Sequence, residues 1–406
     1  MKNLGIKVSL YLNYFVFAIL MNTVGIVILQ VISNYDVSRV TAGSLEAYKD
    51  LSVMFLSFAV ASYIPKFGYK KTMIIGLLAI DAVCILVALV HQYWVTPVLY
   101  MVTGASFGLM KVSVYSTIGL LSEGQKEHTA QMNTLEGFFQ VGSLVGPLFF
   151  GLMISISTWT DTYYLIALMT SLALIIMFFT KLDESDVKSR AEKTNIFSML
   201  KLLKAPAVWI FVVCAFLYVM VEQSLNTWLP TFNREVFKLS EAHASALLAI
   251  YPASIAASRF LAGYYSKKIF WLKSQLILLI GALLVILTVL ISTTNYELLP
   301  NEVPENFPIF SIILLSTGFF IGPVYPTIIS IILSKTEKVK QSAMTGLIVI
   351  FSALGGTSGS MIIGLLSQHY DVHSAFYFPL IPITILGLLL FPYKKFTDKF
   401  GAESQS

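Results

Sequence analysis

The sequence predicts an all-α membrane protein of twelve transmembrane helices folded as two six-helix bundles, and three observations carry that expectation. Of 406 residues, 56% are hydrophobic and 12% charged, about half the charged share of a soluble domain. No water-facing shell can be built from that composition, so lipid has to be the solvent. Apolar runs of the length needed to cross the hydrocarbon layer, about 20 residues, recur along the whole chain. Finally, a set of residues in the first half returns in the second half at a nearly constant offset.

Only a helix satisfies every backbone polar group within one segment in lipid, so each apolar run is read as a helix. Spans are expected near residues 8–32, 48–64, 72–92, 94–121, 131–156, 161–180, 207–232, 240–265, 272–292, 307–334, 340–367 and 373–392. The first run is longer than a signal-peptide core and ends in no small-residue cleavage pattern, which marks it as a permanent span. The second is the least apolar, because it opens on charged residues. Lys and Arg are retained on the cytoplasmic side of short loops. Of the 27 Lys and Arg, only Arg39, Arg234 and Lys238 fall in outer loops when the N-terminus is placed inside, and Lys49, Lys111 and Arg259 fall inside spans. Both termini are therefore expected in the cytoplasm.

The repeat is most legible around the fourth and tenth spans. Ser106, Gly108 and Val114-Tyr115-Ser116-Thr117-Ile118 return as Ser316, Gly318 and Val324-Tyr325-Pro326-Thr327-Ile328, an offset of 210. In the fifth and eleventh spans Gly142, Gly146 and Gly151 return as Gly355, Gly359 and Gly364, an offset of 213. Two adjacent spans agreeing at nearly one offset point to a parallel duplication of six helices, as in carriers whose two bundles rock about a midplane site. The expected organisation is an N-terminal bundle over 1–180, a cytoplasmic linker over 181–206, a C-terminal bundle over 207–393 and a cytoplasmic tail over 394–406.

Four stretches give these spans a family likeness: Tyr218 to Glu222 and Trp228; Ser258-Arg259-Phe260 with Gly263; Tyr325-Pro326-Thr327-Ile328; and Leu354-Gly355-Gly356 with Gly364. On them the chain resembles the major facilitator superfamily of transporters, and within it the fucose:proton symporter branch. The superfamily likeness covers the whole chain, and the branch likeness rests mainly on residues 210–368. It implies a carrier of a small solute working by alternating access, coupled in that branch to a proton. The departures matter equally. Where sugar symporters of the branch carry an acid in the first and fourth spans, this chain has Gly25 and Met110. The loop Lys66-Phe67-Gly68-Tyr69-Lys70-Lys71 keeps the glycine and basic charge of a superfamily signature and lacks its acid.

A charge at mid-bilayer costs about 2.5–3.5 kcal/mol on insertion scales, so each one too deep to snorkel is a functional candidate. Glu222 is the first of these. With Gln223 and Asn226 it forms a polar stripe on the seventh span suited to hydroxyl groups; the competing reading is a hydrogen bond that fixes helix packing. Lys111, in the fourth span, is expected to neutralise a carboxylate such as Glu222 or Glu136, or to bind an anionic solute. Glu136 and Asp81 join Glu222 as proton-coupling candidates, since desolvation favours the neutral carboxyl. Asp81 has the stronger structural reading, because third helices of this fold commonly pack outside the cavity. Arg259 is read as a gate or latch reaching groups in the adjoining cytoplasmic loop. Tyr115, Trp228 and Tyr325 are candidates for stacking on a sugar ring, and Asn22 and Gln140 complete the expected solute-binding set. Glu46, Lys49 and Asp50 read as a solvated network on one helix face. The glycines of the fifth span, with Pro147, resemble in part a drug:proton antiporter pattern; close packing at the interface between halves explains them as well.

Cys84 and Cys214 lie in apolar runs and act as small hydrophobes. No metal spacing, P-loop, dinucleotide fingerprint or hydrolase serine motif is present in a plausible loop. The expectation is a non-enzymatic secondary transporter without cofactor or metal, acting as a monomer in a cell membrane on a small polar solute. A monosaccharide is the first candidate, and nucleic acid is no partner. A proton-linked exporter of a drug, siderophore or metabolite, and a non-transporting receptor, stand as alternatives. A fluorescent protein that matures only in the cytoplasm, fused after Ser406, should fluoresce in cells. A dark fusion at full expression would reverse the assigned orientation.

Overall fold

The computed structural model describes residues 4–190, 198–239, 247, 249–266, 270–294 and 309–403. Among them every regular element is helical. Ten helices are long and apolar enough to cross a membrane, and Arg39–Val60 and Ile250–Tyr265 supply the second and eighth spans. All twelve expected spans are thus present as helices. Residues 240–246, 248, 307 and 308, where the eighth and tenth spans were expected to begin, lie outside the described residues, as do Lys2, Lys193, Lys267 and Lys268.

Three spans depart from the expected continuous run. The first is two helices, Leu4–Asn22 and Val24–Tyr35, broken at Thr23. The Thr23 hydroxyl turns back to the carbonyl of Ile19 (2.8 Å), and the buried Lys49 ammonium takes the carbonyl of Met21 (3.3 Å). Both side chains occupy acceptors near the point where the backbone ladder lapses. The tenth is divided into Ile309–Leu315, Thr317–Ile321 and Val324–Lys335. Pro323 and Pro326 lack the N–H groups that would close helical bonds to residues four earlier. The twelfth begins only after a short helix, Val372–Ala375, whose N-terminus is capped by Asp371 accepting from the Ser374 N–H (2.8 Å). Its main helix, Leu380–Glu403, then runs on through Pro392 and the basic residues Lys394, Lys395 and Lys399.

The described chain forms two compact units. The first comprises residues 1–123, 138–202 and 336–350, and the second 124–137, 203–335 and 351–406. The fifth helix, Gln125–Ile156, and the eleventh, Gln341–His369, therefore each give their first part to one unit and the remainder to the other. Within the first unit the second and third spans pack on the fourth, and the sixth packs on the third and first. Within the second unit the eighth and ninth pack on the tenth, and the twelfth on the ninth and seventh. Each pairing of the first set returns in the second with six added to the helix number, so the sequence repeat is a repeat of packing.

Small residues set these contacts, and this corrects the placement of the glycine rows at the interface between halves. A Cβ on Gly142 would collide with the carbonyl of Phe15, and one on Gly146 would come within 2.9 Å of Thr23, both on the first span. A Cβ on Gly355 or Gly359 would collide with the carbonyls of Phe216 and Met220 on the seventh. The rows thus bring the fifth span against the first and the eleventh against the seventh inside each unit, where loss of a side chain lets backbones approach closely. Gly151 has open space around it, whereas its counterpart Gly364 abuts Trp228 at 3.0 Å. Gly355→Val should lower stability by about 1–3 kcal/mol, the usual cost of overpacking, read as a lower midpoint of thermal unfolding in detergent. Gly151→Ala should leave the midpoint unchanged, and equal losses in the two variants would contradict the packing described.

Candidate functional site

The most concentrated polar cluster lies inside the second unit and centres on Arg259, which is 2% exposed in the eighth span. A buried guanidinium needs a partner for each donor edge, and three other spans provide them. Nε donates to the Gly322 carbonyl at 3.0 Å. That carbonyl is open because its helical partner four residues on is Pro326, which has no N–H. One terminal nitrogen donates to the Glu136 carbonyl (3.2 Å) and faces the Glu136 carboxylate at 3.4 Å. The other reaches Glu222 Oε1 at 3.0 Å and the Tyr218 hydroxyl at 3.4 Å.

A shell of tyrosines closes the cluster. The Tyr218 hydroxyl donates to Glu222 Oε1 (3.3 Å), and that of Tyr251 to the Glu222 carbonyl (3.3 Å). Tyr325 stacks on Tyr218 with centroids 5.2 Å apart, and its hydroxyl pairs with that of Ser352 at 3.0 Å. Glu136 is 5% exposed and Glu222 is half-buried. One guanidinium charge stands between two carboxylates, so this arrangement is neutral when one of them holds a proton.

The candidates from sequence therefore separate. Glu136, Glu222, Arg259 and Tyr325 meet in one cluster. Arg259 departs from its expected place, since it bonds buried carboxylates and not a cytoplasmic loop. Gln223 leaves the stripe expected with Glu222: it is exposed and packs on Gly356 of the eleventh span. Asn226 is half-buried. Trp228 donates to the Ser360 carbonyl at 3.0 Å, which pins the seventh span to the eleventh. Lys111, Tyr115, Gln140, Asn22 and Asp81 belong to the first unit. Lys111 lies 5.8 Å from the Phe107 ring centre and 5.7 Å from that of Tyr115, within cation–π range. Tyr14 and Phe139 pack against those rings. Both carboxylate oxygens of Asp81 accept from Ser171 of the sixth span, at 3.0 and 3.1 Å. Asn22 is exposed and bonds back to the Ala18 carbonyl. Lys49 is 6% exposed, so the expected solvated network at Glu46, Lys49 and Asp50 has exposed carboxylates around a buried amine.

Sequence reasoning missed two features. Tyr218 was visible only as the start of a stretch of family likeness, without a role of its own, and Tyr251 carries no signal beyond being a tyrosine two helical turns from Arg259. The second feature supplies the acid lacking in the loop after the second span. Glu184, 7% exposed in the linker, accepts from the Lys70 N–H (2.8 Å) and pairs with Lys188 (2.9 Å). A carboxylate at the start of the helix Tyr69–Leu89 satisfies an otherwise open donor and opposes the positive end of its dipole. Gly68, at φ +96°, leaves the room that Lys188 and Glu184 fill. The mixed charges of the linker were the available signal.

The duplicated six-helix architecture around a buried arginine and two carboxylates defines a membrane transporter fold. A family model, the Major Facilitator Superfamily, matches residues 10–299 and 275–406, and the chain belongs to that superfamily. It is 22% identical over 394 residues to a protein TsgA homolog of Buchnera aphidicola subsp. Baizongia pistaciae, covering 96% of this chain and 94% of the relative. It is 19% identical to bypass of stop codon protein 6 of Saccharomyces cerevisiae, covering 92% and 78%. The fold matches that of the superfamily transporter FucP in the outward conformation with a TM-score of 0.76 at 15% identity, covering 95% of this chain and 98% of FucP. The proton:xylose symporter XylE matches with a TM-score of 0.74 at 11% identity, over 96% and 95%.

Arg259→Met strips both carboxylates of their partner and should cost about 3–5 kcal/mol, as breaking a buried pair does. Adding Glu222→Gln to that variant should recover part of the loss. Thermal unfolding in detergent reads both, and an unaltered midpoint in Arg259→Met would show that the cluster bears no such load.

Proposed function

We propose that this chain is a proton-coupled secondary transporter of a small polar organic solute, with a monosaccharide first among the candidates. The observation that carries the reading is the meeting of two carboxylates from different spans on one guanidinium. Such a site gains or loses one proton at modest cost, and a change in its charge biases which conformation is favoured. Glu222 and Glu136 are the proton carriers, and Arg259 holds them in register. The reading is supported by the solved structures of similar fold, which include a fucose:proton symporter and a proton:xylose symporter.

In the first unit the candidate solute-binding residues are Lys111, Tyr115, Gln140 and Asn22; in the second they are Glu222, Gln223, Asn226, Trp228 and Tyr325. Asp81 stays with Ser171 as a packing group. The halves 1–180 and 207–393, joined by the linker 181–206 and followed by the tail 394–406, act as a monomer with both termini in the cytoplasm. In a bacterium the membrane is the inner one.

Uptake into proteoliposomes under an imposed inward proton gradient tests this, with L-fucose and D-xylose in a panel that extends to amino acids and organic acids. The wild type should concentrate a solute. Glu222→Gln should abolish concentration while sparing exchange of solute across the membrane. Undiminished accumulation in that variant removes Glu222 from coupling. Efflux of an amphiphile without flux of any sugar would replace this reading with an exporter, and no flux of either would favour a receptor.

A further inference from the structure

Below the arginine cluster the fifth and tenth spans face one another through a strip of polar side chains, all inside the second unit. Near the start of the fifth helix, His128 Nδ1 pairs with the Ser330 hydroxyl at 2.7 Å and the Thr129 hydroxyl meets the same oxygen at 2.8 Å. One turn on, the Asn133 amide donates to the Thr327 hydroxyl at 3.3 Å. Three residues further, Glu136 meets Arg259, which is held by Gly322. The numbering rises on the fifth span as it falls on the tenth, so these are successive rungs between antiparallel helices. At 1.5 Å per residue the strip from His128 to Glu136 is about 12 Å long.

Burying this row costs free energy that an apolar pair of helices would avoid. His128 is 1% exposed and Asn133 is fully buried. Among the described residues His128 Nε2 and Asn133 Oδ1 have no hydrogen-bond partner. Buried polar atoms left open in a polar strip are the sites that ordered water fills. Hydroxyls and water relay protons, and imidazole can accept one at one nitrogen while releasing another from the second. The equivalent contact in the first unit pairs Ser116 with Ser342 at 3.1 Å, with the Tyr69 phenol against Ser342, and Gln341 stands where the fifth span has His128. The repeat thus carries histidine on one side only. The charged groups on the helices that line the strip are Lys126; Glu127, bonded to Gln131; Glu136; Arg259; and Lys335, paired with Asp398 of the twelfth span.

We infer that His128, with Ser330, Thr129 and Thr327, forms the path by which the proton on Glu136 reaches the cytoplasmic face. The proposal rests on the coupling reading above. In the outward-to-inward direction the Glu136 carboxyl gives its proton to water at the Asn133 and Thr327 rung. Ser330 passes a proton to His128 Nδ1 as it receives one, and the imidazolium releases the Nε2 proton to water. The carboxyl becomes a carboxylate and one hydronium leaves; the imidazole, which began protonated on Nε2, ends protonated on Nδ1, and the path resets when the ring exchanges tautomer and the hydroxyls turn back.

The experiment follows the carboxyl C=O stretch of Glu136 by time-resolved infrared difference spectroscopy after a pH jump, with the proton as the only ligand and full-length protein in liposomes. Glu136→Gln identifies the band. In His128→Gln the titration midpoint of the band should hold while deprotonation slows by about a hundredfold, the low end of what a positioned proton-transfer group contributes. Ser330→Ala should slow it likewise, and Ser330→Thr, which keeps the hydroxyl, should restore the rate. A merely structural role would shift the midpoint and leave the rate difference between Ala and Thr at Ser330 unexplained. Wild-type rates in both His128→Gln and Ser330→Ala overturn the path alone. Absence of any band that Glu136→Gln removes overturns the coupling reading and the path with it.

Discussion

The guanidinium of Arg259 is the constraint around which the second unit is built. A charge that is 2% exposed within apolar helices cannot be left with an open donor, and its partners come from the fifth, seventh and tenth spans. Each partner explains a local irregularity. Pro326 in the tenth span removes the N–H that would have claimed the Gly322 carbonyl. Tyr218 and Glu222 stand one turn apart on the seventh span, so one arginine nitrogen reaches both. Glu136 lies at the end of the stretch of the fifth helix that belongs to this unit, residues 124–137.

Glycine makes that convergence geometrically feasible. The tenth span approaches the eighth so closely that a Cβ on Gly318 or Gly322 would collide with Ser254 and Ser258. The corresponding fourth span approaches the second in the same way, with Gly108 against Ser57 and Val53. A repeat that keeps these glycines keeps the helix crossing and frees the remaining positions to diverge. Ser116 answers Pro326, and the open carbonyl that anchors Arg259 has arisen on one side only. Duplication thus preserved the scaffold while proline and charge made the two bundles chemically unequal.

The helices and their pairing were legible because hydrophobic length and glycine spacing act through one dimension of the chain. Every span was visible, and the offsets of 210 and 213 anticipated which helices pack in corresponding ways. The breaks at Thr23 and within the tenth span were less visible, because Thr23 depends on side chains such as Lys49 arriving from another helix. Asp81, Glu136, Glu222 and Arg259 were each visible as charges out of place, yet no spacing rule tells which of them share a neighbour. Glu184 illustrates the limit most clearly: the acid absent from the loop at Lys66 to Lys71 is provided from 114 residues away. Gln223 adjoins Glu222 in sequence but turns to the eleventh span, since helical neighbours one residue apart project about 100° from each other.

The same reasoning bears on why the charges of the two units differ in kind. In the first unit the mid-span amine of Lys111 lies within cation–π range of the Phe107 and Tyr115 rings. In the second unit Arg259 is bound by oxygen atoms on nearly every side. An arginine so fully engaged is a fixed element, because moving it would expose several unpaired groups at once. The variable charge is then that of the acids beside it. Glu222, whose side chain is 19% exposed against 7% for Glu136, is the more accessible of the two to solute and solvent. Glu136 sits deeper, next to the hydroxyl-lined strip of the fifth and tenth spans. In the coupling proposed above, the more exposed acid, Glu222, is the one to sense a solute, and the deeper one, Glu136, is the one to discharge the proton along the strip.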